Sequence, residues 1–308
     1  MGYKHKPVLV DEVLSFIPEN ATSIWDCTVG AGGHLEAIFN GGYAGRALAT
    51  DADEAMLQIA SERLGSSKAD ISFEHGFFDE VAEAKSGPFD FILIDLGISS
   101  YHLDEFERGF TYRFDQPLDM RLNTAEGKPV SFWLEKASER EISQVLFDYG
   151  EERKARKIAR MIVERQGEQE LTTEVIKDIC KTAYRKEMNN MRHTARHPYV
   201  KTMQALRIFV NDELGRLERA LKLLPELLSL HGRLAIISFH SLEDRRVKQT
   251  YRALSQIEDH SPTARSNYRP GDYRILTRKP LKASDKEIAE NQRARSACLR
   301  VLERVNVQ

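Results

Sequence analysis

IWDCTVGAGGH, residues 24–34, carries a short apolar run straight into a cluster of three glycines. A strand that ends this way holds a guest close to its backbone, because glycine turns tightly and projects nothing. Three kinds of guest suit such a loop: a nucleotide phosphate, a dinucleotide, or a group with no phosphate at all. A P-loop requires Lys and then Ser or Thr after its last glycine, whereas His34 and Leu35 follow Gly33. A dinucleotide loop is written G-x-G-x-x-G, the third glycine letting helix and strand pack closely around a pyrophosphate. Leu35 fills that third position, so a dinucleotide-dependent oxidoreductase is disfavoured but stays open.

The next acid along the chain narrows the choice. Asp51 ends the apolar run 47–50 and stands 21 positions after Gly30, close to the ~20 expected of an acid that binds ribose hydroxyls. S-adenosylmethionine offers an amino-acid part to a G-x-G backbone and a ribose to such an acid. Asp53 reads as a helix N-cap. Further out, apolar runs at 24–27, 47–50, 71–73 and 89–94 alternate with helical stretches at 34–39 and 54–64. That alternation predicts a parallel sheet covered on both faces, and FDFILI (89–94) has the continuous apolarity of a buried parallel strand.

The rhythm then breaks. The next comparable strand, RLAIISF, starts at Arg233, 138 positions beyond Asp95. Helical patterns fill the gap at 138–149, 151–166, 173–184 and 202–230, the last with Leu206, Phe209, Val210, Leu214, Leu217, Leu221 and Leu224 at helical spacing. The pattern predicts a helical domain inserted into an α/β domain, with the sheet resuming at Arg233. Residues 255–268 have loop composition.

Composition limits the remaining classes. At 308 residues with 41% hydrophobic and 30% charged residues, the chain reads as a soluble globular protein. It has no apolar run of the roughly 18 residues a membrane span needs and no secretory leader pattern. Its three cysteines, Cys27, Cys180 and Cys298, are far apart and odd in number; they suit a reducing cytoplasm and form neither a disulfide framework nor a metal pair. The net charge of −2 hides local net charges of +6 over 181–207 and +6 over 240–308. Such stretches fit contact with a polyanion, or solvated helix faces.

DLGISS (95–100) places an acid at the end of the FDFILI strand. A methyltransferase must hold its nucleophile in line with the sulfonium carbon, and an acid at a sheet edge can accept hydrogen from a base amine. Carbon-5 pyrimidine chemistry has no Pro-Cys nucleophile here. At this point the chain resembles the bacterial small-subunit (16S) ribosomal RNA cytidine-N(4) methyltransferases, the MraW-like family. The resemblance is carried in order by HKPVLVDEV (5–13), DCTVGAGGH (26–34), DLGISS (95–100), RGFTYRFDQPLDMRL (108–122), YGEERKARKIA (149–159), QALRIFVNDEL (204–214), ISFHSLEDRRVK (237–248) and NQRARSACLRVLER (291–304).

The resemblance implies a Rossmann-like, S-adenosylmethionine-dependent methyltransferase sheet with an inserted all-helical domain. Its methyltransferase domain is expected over 1–105 and 206–308, and the insertion, for substrate recognition, over 106–205. It implies methylation of the N(4) amine of a decoding-centre cytidine, in the cytoplasm, with 16S rRNA inside the assembled 30S subunit as partner. It implies no membrane and no catalytic metal, and it leaves a homodimer open. Cofactor-binding positions carry over to Gly32, Gly33, His34, Asp51, Phe78, Asp95 and His102. Asp95, Ser99 and His240 are the expected catalytic residues. Arg121, Arg192, Arg196, Tyr199, Lys201, Arg293 and Arg295 are the expected RNA contacts. Two departures stand out: Gln116 where the family has Gly before PLDMR, and HPYVKTMQA (197–205) in place of the family's HPATRTFQA. They bear on a loop angle and on the mode of RNA contact. A non-catalytic RNA-binding factor on the same fold competes with these readings.

Overall fold

The structure, a computed structural model, describes residues 6–65, 67, 69–99, 101–102, 108–111, 113–188, 199–258 and 268–306. The chain forms two compact units, Met1–Gly97 with Leu214–Gln308, and Ile98–Glu213.

The first unit opens with α1 (Val10–Ser15), β1 (Ser23–Asp26), α2 (Gly33–Asn40), β2 (Arg46–Asp51) and α3 (Glu54–Leu64). It continues through β3 (Asp70–His75), α4 (Phe78–Ala84) and β4 (Phe89–Asp95). The second unit is helical: α5 (Val130–Leu134), α6 (Glu139–Gly150), α7 (Ala155–Val163), α8 (Thr173–Ala183), α9 (Arg185–Met188) and α10 (Tyr199–Val210). After α11 (Glu213–Leu223) come β5 (Leu228–Ser238), α12 (Ser241–Ser255), β6 (Gln256–Glu258), β7 (Tyr268–Pro270), β8 (Tyr273–Ile275), α13 (Asp285–Glu290) and β9 (Cys298–Arg304).

Seven strands make one sheet in the order β3-β2-β1-β4-β5-β9-β8. The first five are mutually parallel, and β9 and β8 close the sheet antiparallel. Burial on both faces explains the apolar runs. Along β4, Phe91 and Leu93 face one core layer with Leu35, Ile38 and Leu64, while Ile92 and Ile94 face another with Leu217, Leu221 and Tyr251. Each such side chain contributes about 1.5–3 kcal/mol when fully buried. The one large polar-tipped side chain in β1, Trp25, donates its indole N–H to Thr50 Oγ1 at 3.0 Å, so its burial leaves no unmet donor. Strand order reverses between β1 and β4, and that switch point is where a doubly wound sheet opens a crevice at its carboxyl edge.

The helical unit has its own core, with Ile142, Leu146, Ile158, Ile162, Ile176 and Leu206 fully buried. Ser138 and Glu141 cap α6 reciprocally. The stretch expected as one helix over 202–230 is broken: α10 stops at Val210, Asp212 adopts a left-handed φ of 48°, and a 3-10 turn at Leu224–Leu227 leads into β5 five residues before Arg233. Asn211 stabilises the break by accepting from Leu122 N at 2.7 Å and donating to Met120 O at 2.7 Å. The apolar stripe runs through the break unchanged, so periodicity alone shows one helix.

Gln116 needs no unusual backbone. It is buried, and its Oε1 accepts from Gly109 N at 2.9 Å. The left-handed positions in that motif are Met120 (φ 62°) and Gly109 (φ 71°), where an added Cβ would stand 2.6 Å from Pro117 O. β6, inside the expected loop 255–268, pairs as an antiparallel ribbon with β7, which begins at the loop's last residue. No helix among the described residues is long and apolar enough to cross a membrane.

Candidate active site

The carboxyl ends of β1, β2 and β4 bring three acids to the edge where strand order reverses. Between β1 and α2 the chain turns through the glycine loop. Gly32 carries the turn at φ 79°, and a Cβ there would press on the Leu64 side chain at 3.2 Å. Gly33 opens α2, where a Cβ would meet Pro7 at 3.1 Å. No side chain caps α2, so its first backbone N–H groups point from the loop with the positive end of the helix dipole behind them.

Asp51 ties this loop to β2. Its Oδ2 accepts from Gly30 N at 2.8 Å and its Oδ1 from Asp53 N at 2.9 Å, while its backbone carbonyl accepts from Gly76 N at 3.0 Å. A carboxylate oxygen accepts more than one hydrogen bond, so these ties are compatible with ribose hydroxyls as further donors. Asp53 is the N-cap of α3, accepting from Ala55 N at 3.0 Å. Phe78 opens α4 just past β3, its ring half-buried against the second core layer.

Asp26 and Asp95 end the two strands that flank the switch point. Asp26 is 2% exposed; its Oδ1 accepts from Thr28 N at 3.2 Å, but its buried Oδ2 has no partner. Burial, then the nearby Asp51 charge, pushes its carboxyl up to about 7. Asp95 is placed by its backbone N–H, which donates to Thr28 Oγ1 at 2.7 Å, and its Oδ1 is likewise buried and unpartnered. Burial holds the Asp95 carboxyl well above the usual range, reinforced by Asp26 and Glu243, while Arg293 pulls the other way. Asp26 and Thr28 were not singled out from sequence, where Glu243 reads only as part of a charged helix start. The available signal was Asp26 itself, an acid inside a strand that is otherwise buried.

His34 Nε2 lies 2.9 Å from Val8 O. A carbonyl only accepts, so Nε2 carries the proton and Nδ1 presents a lone pair, 3.9 Å from Asp95 Oδ2. Burial lowers the ring to about 4, which makes it neutral at physiological pH. The ring therefore braces the N-terminal segment against α2 and does not cap that helix. His240 is the N-cap residue of α12, its Nε2 3.0 Å from Glu243 Oε1. Glu243 Oε2 accepts from Phe239 N and His240 N at 2.8 and 3.3 Å. The next acid, Asp244, grips the buried Arg300 with both oxygens at 2.6 and 3.0 Å. Arg293 and Arg295 sit on a 3-10 turn, Gln292–Ser296, the former half-buried and the latter exposed.

The helical unit holds the other expected residues. Ser99 donates its backbone N–H to His102 Nδ1 at 3.1 Å, with its hydroxyl at the same distance, and the His102 ring packs buried against Phe110. Two expected RNA contacts are engaged within this unit. Tyr199 is 5% exposed within the helical core, so its ring is not offered to a base. Arg121 is engaged internally: both Asp119 oxygens take its guanidinium at 2.7 Å, and its Nη1 reaches the carbonyls of Thr124, Glu126 and Gly127. Lys201 is exposed and donates to Glu151 O at 2.9 Å. Arg192 and Arg196 lie outside the described residues.

Comparison with known proteins agrees in kind with this geometry. A family model described as the MraW methylase family matches residues 2–305. The ribosomal RNA small subunit methyltransferase H of Heliobacterium modesticaldum (strain ATCC 51547 / Ice1) is 42% identical over 317 residues, spanning 99% of this chain and 100% of that protein. Among solved structures, an rRNA methylase from Streptococcus thermophilus is 11% identical with a TM-score of 0.39, covering 96% of this chain and 93% of its own. A ribosomal protein L11 methylase from Lactobacillus delbrueckii subsp. bulgaricus is 10% identical with a TM-score of 0.41, covering 97% and 78%. Likenesses at that level bear on neither cofactor nor substrate.

Proposed function

The chain belongs to the MraW methylase family, and from that premise we propose that it methylates the exocyclic N(4) amine of a cytidine in the decoding centre of 16S rRNA. It is an S-adenosylmethionine-dependent methyltransferase. The substrate in this reading is the assembled 30S subunit, which places the protein in the cytoplasm, and the helical unit serves its recognition.

The observation that carries the reading is the pair of buried, unpartnered carboxyl oxygens, Asp26 Oδ2 and Asp95 Oδ1, beside the glycine loop. Buried polar atoms without partners are costly, and a guest bearing positive charge and N–H donors resolves both. S-adenosylmethionine fits on each count, with a sulfonium, an ammonium and a ribose diol. A dinucleotide fits poorly, since its pyrophosphate brings neither positive charge nor N–H donors to these two oxygens. Arg63, which donates to Ala31 O, is already paired with Glu36.

In this reading Gly32 and Gly33 let the amino-acid part approach the backbone, Asp51 takes the ribose and Phe78 lies against the adenine. When bound, the cofactor supplies an electrophilic methyl group. The residues of the chain do the rest. Asp95, whose carboxyl is held above the usual range, accepts hydrogen from the base amine and leaves the nitrogen lone pair free to face the methyl donor. His34, neutral and fixed at Nε2, keeps Nδ1 as a lone pair beside Asp95. Because that ring carries no charge, it does not compete with a cationic guest.

Calorimetric titration with S-adenosylmethionine tests the site directly. Wild type is expected to bind, and Asp51→Ala to bind roughly 10–100-fold more weakly, the loss of charge-assisted hydrogen bonds worth about 1.5–3 kcal/mol. Unchanged affinity in the variant would remove Asp51 from the site.

A further inference from the structure

Helix α7 buries Ala155, Ile158, Ala159 and Ile162 in the helical core. Its other side exposes Arg156, Lys157 and Arg160, with Arg153 just before it. Residues 153–163 hold five basic side chains and no acid. Two lysines show where this face leads. Lys154 Nζ and Lys157 Nζ both donate to Ala183 O, the end of α8, at 3.0 and 2.9 Å, and the Lys154 ammonium lies 4.4 Å from the Tyr184 ring centroid. The chain continues there into exposed Arg185 and Lys186.

The neighbouring helix shows what a merely solvated charged face looks like. On α8, Glu174 and Asp178 alternate with Lys177 and Lys181, pairing at 2.6, 3.1 and 3.7 Å. On the ridge, Arg153, Arg156, Arg185 and Lys186 make no ion pair among the described residues, and Arg160 reaches only Glu164 at 3.8 Å with both more than half exposed. Like charges three and four apart on a helix repel by a few tenths of a kcal/mol each. Glu187, paired with Lys154, and Glu164, beside Arg160, offset only part of that repulsion; a polyanion would offset the rest.

We propose that this ridge, Arg153, Arg156, Lys157, Arg160, Arg185 and Lys186, is where the sugar-phosphate backbone of the RNA substrate docks. The proposal rests on the rRNA reading above and names the surface that reading lacks. The ridge is rich in arginine, whose fork matches phosphate oxygens. The apolar side of α7 is turned wholly inward, so a membrane would find nothing there to take up. Contacts of this kind orient a substrate and do not select its sequence; the choice of cytidine belongs to the other unit.

The test compares wild type with an Arg153→Ala/Arg156→Ala/Arg185→Ala/Lys186→Ala variant. Binding to small subunits and to free small-subunit rRNA is measured across a salt series, alongside S-adenosylmethionine affinity, melting temperature and methyl transfer. For the variant, Kd is expected to rise at least about tenfold at low salt, and the slope of log K against log salt to become shallower by about three. Cofactor affinity and melting temperature are expected to stay as in wild type. A variant with wild-type slope and affinity, in a protein that still methylates the subunit, overturns the ridge and leaves the rRNA reading standing. A wild type that neither binds nor methylates small-subunit rRNA overturns both.

Discussion

Two motif loops dominate the chain, and the structure uses them in opposite ways. The loop at 108–122 closes on itself. Arg108 donates to the carbonyls of Arg121 and Leu122, Gln116 accepts from Gly109 N, and Arg121 binds Asp119 and three carbonyls beyond it. The glycine loop after β1 also organises its backbone, through Asp51 and Thr28, yet it stands beside two buried carboxyl oxygens with nothing to bind. Both loops need a left-handed glycine. What separates framework from site is the kind of polarity left over: an amide nitrogen, Gln116 Nε2, in the first loop, and the carboxyl oxygens of Asp26 and Asp95 beside the second.

Substitutions should respect that division. The largest effect is expected from Asp95→Asn, which keeps the shape and one acceptor oxygen but removes the carboxylate's capacity to take up a proton. Methyl transfer should fall by about 10²–10⁴-fold, the usual worth of a positioned base, with the melting temperature little altered. A radiolabel transfer assay giving a rate within a few-fold of wild type would break the assignment.

The next effect is on stability and its pH dependence. Asp26 titrates at about 7 when folded and near 3.8 when unfolded, so the native state binds more protons between those values and its stability falls as pH rises through that window. His34 has the opposite sign: about 4 folded against 6.5 unfolded, so its contribution improves as pH rises from about 4 to 6.5. In Asp26→Asn only the histidine slope remains of these two. Relative to wild type, the variant should gain stability steadily from about pH 4 to about pH 7 and then level off, by up to a few kcal/mol. Denaturant melts across pH that show a constant difference would mean Asp26 is already ionised in the unliganded protein.

The smallest effect belongs to the closed loop. Arg121→Ala should cost about 0.5–1.5 kcal/mol, since its acceptors are the part-buried Asp119 and three exposed carbonyls that water can reach, while leaving cofactor affinity and the salt slope of RNA binding unchanged. A slope reduced by about one unit would return Arg121 to the RNA surface.

The same distinction explains what could be read from sequence. β1, β2 and β4 were legible because parallel strands buried on both faces are continuously apolar, and Asp51 because its distance from the glycines is set by one strand–helix–strand unit. The end of α10 was not legible, since Asn211 and Asp212 interrupt a helix without interrupting its apolar stripe. Nor was the difference between Arg121 and Arg156, both arginines in charged motifs: one is held by a carboxylate two residues away, the other makes no ion pair among the described residues. Tyr199 looked like a stacking residue among cations, and only the packing of α10 shows that its ring faces inward. Asp26 was hidden for the reverse reason, because its importance lies in an oxygen that lacks a partner.

The central claim is that the site at the β1/β4 switch point passes a methyl group to one cytidine amine. Small subunits incubated with the protein and S-adenosylmethionine labelled in its methyl group can be digested to nucleosides and resolved by mass spectrometry. The account predicts label in N(4)-methylcytidine at a single decoding-centre position, abolished in Asp95→Asn. Label on a different atom, on a different RNA, or undiminished in that variant would contradict it.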